Sequence, residues 1–215
     1  MSLRCVIAFV LSIICLATPG WTEVHAEGAP TEAVRITVGQ ALRVLQVEEL
    51  KKPERTDERV SRLRKIANSF FDYGEMAKRS LGGQWDKLGA SDRQEFVDLF
   101  TELLTTTYAE RINAYSDEEV TFLSEQLEGD YAEVKTVLVG KKTETLLNYR
   151  LIKKNGDWKA YDVVVDDISL VSNYRGQFTA ILRSSSYKHL VIILREKIAQ
   201  YNVKTKITET IPASR

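Results

Sequence analysis

Few side chains in this chain carry the types and spacing that chemistry needs. Ser184, Ser185 and Ser186 lie just before His189. That invites a Ser–His pair, in which the imidazole takes the hydroxyl proton and frees a nucleophile. No Gly-x-Ser-x-Gly turn accompanies them, so they read better as a helix start followed by a surface histidine. Asp166-Asp167 has hard-cation chemistry, but no loop of alternating oxygen ligands surrounds it, and a turn after a strand is the simpler reading. With His25 and His189 as the two histidines and Cys5 and Cys15 as the two cysteines, a zinc site lacks ligands. No glycine-rich phosphate loop follows a strand. One catalytic arrangement remains: a carboxylate whose pKa burial has raised, beside a phenol, can move protons. Tyr149, Tyr161 and Asp162 are its candidates, against the plainer reading of a structural hydrogen bond. The last chemical residue is Arg175, between Tyr174 and Gly176. Its planar guanidinium suits a phosphate, or an internal carboxylate such as Asp162 or Asp166 that would brace the following helix to the fold.

The elements that must position these groups follow from the hydrophobic pattern. Residues 1–26 have one basic residue, Arg4, an apolar run from Cys5 to Ala17, and the small-residue pattern Val24-His25-Ala26. That is the anatomy of a cleaved secretory signal peptide, with an uncleaved anchor as the alternative. Cleavage removes both cysteines, so the mature chain has no thiol chemistry. The 30 basic and 30 acidic residues balance, which gives no electrostatic argument for nucleic acid. Residues 27–37 read as a flexible segment and 204–215 as a flexible tail, flanking one domain over 38–203. Helices are expected over about 38–50, from Thr56 to near Phe70, over 73–81 ending at Gly82-Gly83, over 92–115 with Ser91 and Gln94 as a capping box, over 172–183 and over 187–201. Between them, Val120–Leu123, Tyr131–Val139, Thr143–Lys153 and Trp158–Val165 read as strands separated by Gly129-Asp130, Gly140-Lys141 and Asn155-Gly156.

Asn155-Gly156 is a two-residue hairpin signal that sets Lys154 against Asp157. An unbroken register then opposes Tyr149 to Asp162 and Leu147 to Val164. Leu147, Tyr149, Leu151, Ala160, Asp162 and Val164 would share a face; a bulge would shift the register by one and swap the faces. The resulting fold class is α+β, with helices packed on a twisted antiparallel sheet of about four or five strands.

Three segments carry a family resemblance: FDYGEMAKRSLGGQWDKL (71–88), FVDLFTELLTTTYAERI (96–112) and WKAYDVVVDDISLVSNYRGQF (158–178). Together they resemble the toluene-tolerance, or MlaC-type, family of periplasmic phospholipid-binding proteins, over about residues 38–200. The run SLVSNYRGQF also resembles a branch associated with hopanoid biosynthesis. Asp167 departs from relatives that often have glycine there. The resemblance implies a soluble lipid carrier, probing neither metal nor cofactor, that serves an inner-membrane ABC lipid transporter complex and an outer-membrane lipoprotein complex as a monomer. It implies an apolar pocket between sheet and helices, for which the candidate lining is Phe71, Phe100, Leu104, Tyr108, Leu147, Tyr149, Val164, Leu170, Tyr174 and Phe178, with Arg175 at the head group or in a structural role. The alternatives are an adaptor of the transporter that binds no lipid, and a proton-transfer enzyme using Asp162 and Tyr149.

Overall fold

The computed structural model describes residues 29–113, 118–141 and 143–210, with side chains described outside 109–113 and 202–210. The expected signal peptide lies outside the described residues. Six α-helices and a five-stranded sheet follow one another as α1 (Ala29–Leu45), α2 (Thr56–Phe70), α3 (Tyr73–Leu81), α4 (Ala90–Asn113), β1 (Glu119–Glu128), β2 (Tyr131–Val139), β3 (Glu144–Lys154), β4 (Asp157–Val165), β5 (Ile168–Ser169), α5 (Leu170–Ser184) and α6 (Tyr187–Thr210). The expected α+β class is the observed one. The sheet is an antiparallel meander in sequence order.

The first helix begins at Ala29, well before the expected start and inside the segment expected to be flexible. Pro30 fits a first helical turn, where its missing N–H costs nothing. Thr31 and Val34 are buried, and Thr31 donates from both its amide (2.8 Å) and its hydroxyl (2.6 Å) to Glu125 on β1. Tertiary docking, which local composition does not show, holds this stretch. At the other end the backbone of α6 is helical to Thr210, inside the segment expected to be a loose tail. The expected Ser91–Gln94 capping box is also absent: both residues lie inside α4, and the Gln94 amide donates to Asp98 instead. The boundary of α3 at Gly82 is as expected. Asp72 caps that helix by accepting from the Glu75 amide.

The Asn155-Gly156 hairpin sets Lys154 against Asp157 and Leu151 against Ala160, as the turn chemistry requires. Tyr161 is then an extra residue on β4. Beyond it Arg150 opposes Asp162, Tyr149 opposes Val163 and Leu147 opposes Val165. Asp162 and Val164 therefore leave the face of Tyr149, Leu147 and Leu151, and the unbroken-register expectation is corrected at this bulge.

Two cores result. The helical core gathers Met76, Leu81, Phe96, Phe100, Leu103, Tyr174, Phe178, Leu190 and Leu194 from α3 to α6. Its rings pack edge to face, Phe100 on Tyr174 at 5.3 Å and Phe96 on Phe178 at 5.6 Å. A smaller core joins Val34 of α1 and Phe70 of α2 to Ala132, Val134, Leu151 and Ala160 of the sheet. Phe71 packs at the border of both, and its backbone bridges to Ala160.

Candidate binding site between the two cores

The inner face of the sheet is covered unevenly. At the end nearest the β3–β4 hairpin, Ala132, Val134, Leu151 and Ala160 are fully packed under α1 and Phe70. Farther along the same face, Leu147, Tyr149, Val163 and Val165 are only half-buried. Val38, Ala41 and Leu42 of α1, Val60, Ile66 and Ala67 of α2, and Phe71, Tyr73, Tyr108 and Leu170 are half-buried too. The long helix α4 packs on α3 and α6, and among the described residues it lays no extended contact on the sheet. It is tied to α2 by Arg64 and Glu102, 3.3 Å apart. The sheet and the long helix thus belong to different packing layers.

Tyr149 belongs to the sheet-side layer. Burial alone pushes its phenol up to about 12. Its ring meets Phe70 edge to face at 6.2 Å. Yet the side chain is not closed over, and its hydroxyl makes no hydrogen bond among the described residues. The phenol is thus desolvated and unpartnered at the margin of the sheet-side core. Tyr73, also half-buried beside Phe71 at 5.9 Å, is likewise pushed up to about 12 by burial, partly offset by the Arg64 charge.

The other candidate lining residues divide. Phe100, Leu104, Tyr174 and Phe178 are buried members of the helical core, with Tyr108 and Leu170 packed at its margin. Leu147 and Tyr149 are half-buried on the inner face of the sheet, opposite Thr136 and Val134. Val164 is buried on the opposite face of the sheet, moved there by the bulge at Tyr161. The same shift supplies Val163 and Val165 to the inner face in its place. The only sequence signal for this was the extra residue itself, which carries no residue-type signature.

The bulge also removes the Tyr149–Asp162 pair. Asp162 is 3% exposed on the far face, where it accepts from the Ser169 hydroxyl (2.6 Å), the Val171 amide (3.0 Å) and Arg150 (3.3 Å). It is a capping carboxylate that fixes the start of α5 to β4. With Asp162 so engaged, and Asp166 accepting from the Leu146 amide at 2.9 Å, neither is the partner expected for Arg175. That guanidinium instead lies against Gly82: a Cβ there would come within 3.1 Å of its nitrogens. Gly82 has φ +56°, so a side chain there is strained and also needs the Arg175 guanidinium to give by a few tenths of an ångström. His189 is exposed, and its amide meets the Ser186 hydroxyl at 3.3 Å, the helix-start arrangement expected of the serines.

One surface hollow of ≈ 640 Å³ lies on the outer side of α4 and α6, lined by Ser91, Gln94, Glu95, Asp98, Leu99 and Arg195. Its carboxylates and its Arg195–Glu95 ion pair of 2.7 Å suit water.

Comparison with known proteins supplies a family. The family model of the MlaC protein covers residues 35–196. The chain belongs to the MlaC family. A relative from Haemophilus influenzae, the intermembrane phospholipid transport system binding protein MlaC, is 25% identical over 144 residues, 63% of this chain and 67% of its own. A phospholipid-binding protein from Ralstonia solanacearum, solved in complex with a phospholipid, superposes with a TM-score of 0.73 at 20% identity over 81% of this chain and 99% of its own. That likeness is one of fold. Among the described residues of this MlaC-family chain, no helix is long and apolar enough to cross a membrane.

Proposed function

We propose that this protein is a periplasmic carrier that encloses the acyl chains of a phospholipid, or of a hopanoid-like lipid, between the inner face of its sheet and α4. It exchanges that cargo as the soluble component of an ABC-type transport system between the inner and outer membranes. The observation that carries the reading is the half-covered apolar surface between two closed cores, with the desolvated, unpartnered phenol of Tyr149 at its centre.

The energetics require such a space. At about 0.8 kcal/mol per buried CH₂, one sixteen-carbon chain left in water costs on the order of 12 kcal/mol. A carrier must cover that surface without lipid-like depth of its own. Leu147, Val163 and Val165 offer aliphatic contact from one wall, and Phe71 and Tyr108 from the other. The Tyr149 hydroxyl can donate to a lipid ester carbonyl and recover the hydrogen bond it lacks. A polar head group keeps its hydration by staying at the opening.

The test is extraction of protein purified from its native host, followed by mass spectrometry. Lipid recovered in equimolar amount, and lost in Leu147→Trp, supports the carrier. Protein that is empty as isolated, and stays empty when incubated with vesicles of phosphatidylethanolamine and phosphatidylglycerol, rules it out.

A further inference from the structure

The first strand is an edge that nothing in the sheet covers. Among the described residues β1 pairs with β2 alone, so one side of its ten-residue backbone presents unpaired N–H and C=O groups. Natural edges of that length are commonly guarded by lysine, proline or brevity. The sequence Glu119-Val-Thr-Phe-Leu-Ser-Glu-Gln-Leu-Glu128 contains neither lysine nor proline. It exposes two leucines, Leu123 at 55% and Leu127 at 61%. Its one irregularity is the register shift at Leu123, which leaves Ser124–Glu128 as a straight run paired residue for residue with Tyr131–Lys135.

The exposed leucine sits where the apolar layer breaks off. Leu127 opposes Ala132, which is packed in the core under Val34 of α1. The inner face therefore runs from Ala160 through Leu151 and Ala132 to Leu127 and ends in water. A further strand would continue that layer. Charge decides what kind. Glu119 and Glu128 lie exposed at the two ends of β1 and Asp130 follows in the turn, while Glu125 is held by Thr31 of α1. A second copy of β1 would set carboxylates against carboxylates. A strand carrying lysine or arginine would not.

We infer that the β1 edge is a strand-addition site for an extended basic segment of a partner protein, with an apolar residue of that segment seated beside Leu127. Main-chain hydrogen bonds along Ser124–Glu128 supply the contact, and the glutamates select the sign of the partner. This inference does not depend on the carrier reading.

The probe is a short synthetic peptide alternating lysine and leucine, titrated into the full chain and followed by backbone amide NMR. Shifts are expected along Ser124–Glu128. Affinity is expected to fall at least about tenfold when lysines are replaced by glutamate, when alternate peptide amides are N-methylated, or when the protein carries Leu127→Lys. The exposed position of Leu127 leaves that variant folded, which the rest of its amide spectrum reports. Shifts centred elsewhere, equal binding of the N-methylated peptide, or indifference to Leu127→Lys each overturn the proposal, as does a β1–β1 dimer of the free chain. Lipid content measured on the same samples separates the two readings. Empty protein that binds the peptide this way counts against the carrier alone, and loaded protein that ignores the peptide counts against the edge alone.

Discussion

The helical core and the sheet-side layer are built from the same kinds of residue and packed to different ends. In the helical core Phe96, Phe100, Leu103 and Leu190 have no exposed surface, and four rings interlock edge to face. In the sheet-side layer, equally apolar residues such as Leu147, Val163 and Val165 stop at half-burial. Interiors normally close to the density of an organic crystal. On the carrier reading proposed above, the layer that halts short of closure keeps space for another molecule. The two regions should therefore answer mutation differently.

The largest contrast is in truncation. Phe100→Ala removes a fully enclosed ring, and a loss of about 3–5 kcal/mol is expected from denaturant melts. Leu147→Ala removes a side chain that is already half-uncovered, and should cost less than about 1.5 kcal/mol. Equal costs would mean that the sheet-side layer is as solid as the helical core. Enlargement sharpens the same point: Leu147→Trp and Val163→Trp should fold within about 1 kcal/mol of wild type while excluding lipid, whereas overpacking a closed core costs roughly 1–3 kcal/mol.

Next in size is the joint between the regions. Asp162 is buried and engaged by Ser169, Val171 and Arg150. Asp162→Ala strands those donors, among them the Val171 amide in the first turn of α5, while the Ser169 cap remains, for an expected loss of about 2–4 kcal/mol. Asp162→Asn keeps the shape and should recover part of it. No loss in Asp162→Ala would show that α5 does not need the sheet to hold its place, and the two regions would be uncoupled.

A smaller effect appears in alkali. Burial holds the phenols of Tyr149 and Tyr174 near 12, above the value of about 10 for an unfolded tyrosine. Between those values the unfolded chain gives up these protons and the folded chain keeps them. The stability they contribute is whole below pH 10 and is lost as pH rises towards 12. Absorbance titration at 295 nm should show these rings ionising late, with Tyr149 tracking lipid content because it borders the space and Tyr174 indifferent to it.

Much of this contrast was legible in the sequence, and the illegible part has physical causes. Helical periodicity marked Phe96, Phe100, Tyr174 and Phe178 as one apolar surface, and they do form one core. Asn155-Gly156 set the hairpin correctly at Lys154 and Asp157. A bulge, however, depends on how two strands twist against each other, so nothing in Tyr161 announced that Val164 and Asp162 would change faces. The docking of Thr31 and Val34 likewise depends on Glu125 and Val134, roughly a hundred residues away. Half-burial is harder still. Leu147 and Leu151 have the same pattern position, and only the tertiary placement of α1 and Phe70 seals the second while leaving the first half-buried.

The smallest effect lies at the far end of the uncovered layer, in the turn between β4 and β5. Asn155 and Gly156 reach φ +52° and +91° with residues suited to that region, while Asp166 and Asp167 reach φ +45° and +65° with side chains that resist it. The two aspartates are not equivalent. The Asp166 carboxylate accepts from the Leu146 amide, so its conformation is compensated. Asp167 is exposed and has no hydrogen bond or ion pair among the described residues. Asp167→Gly relieves the left-handed strain but adds freedom to the unfolded chain, two terms of opposite sign and each on the order of 1 kcal/mol. A net gain of roughly 0.5 kcal/mol is expected from Asp167→Gly, and a net loss from Asp166→Gly, because only the second also gives up a hydrogen bond to β3. If Asp167→Gly instead destabilises by more than about 1 kcal/mol with lipid extracted and not with lipid bound, then the strained aspartate contributes to the empty state of the sheet-side layer, and the end of that layer near Ile168 is where its closure is decided.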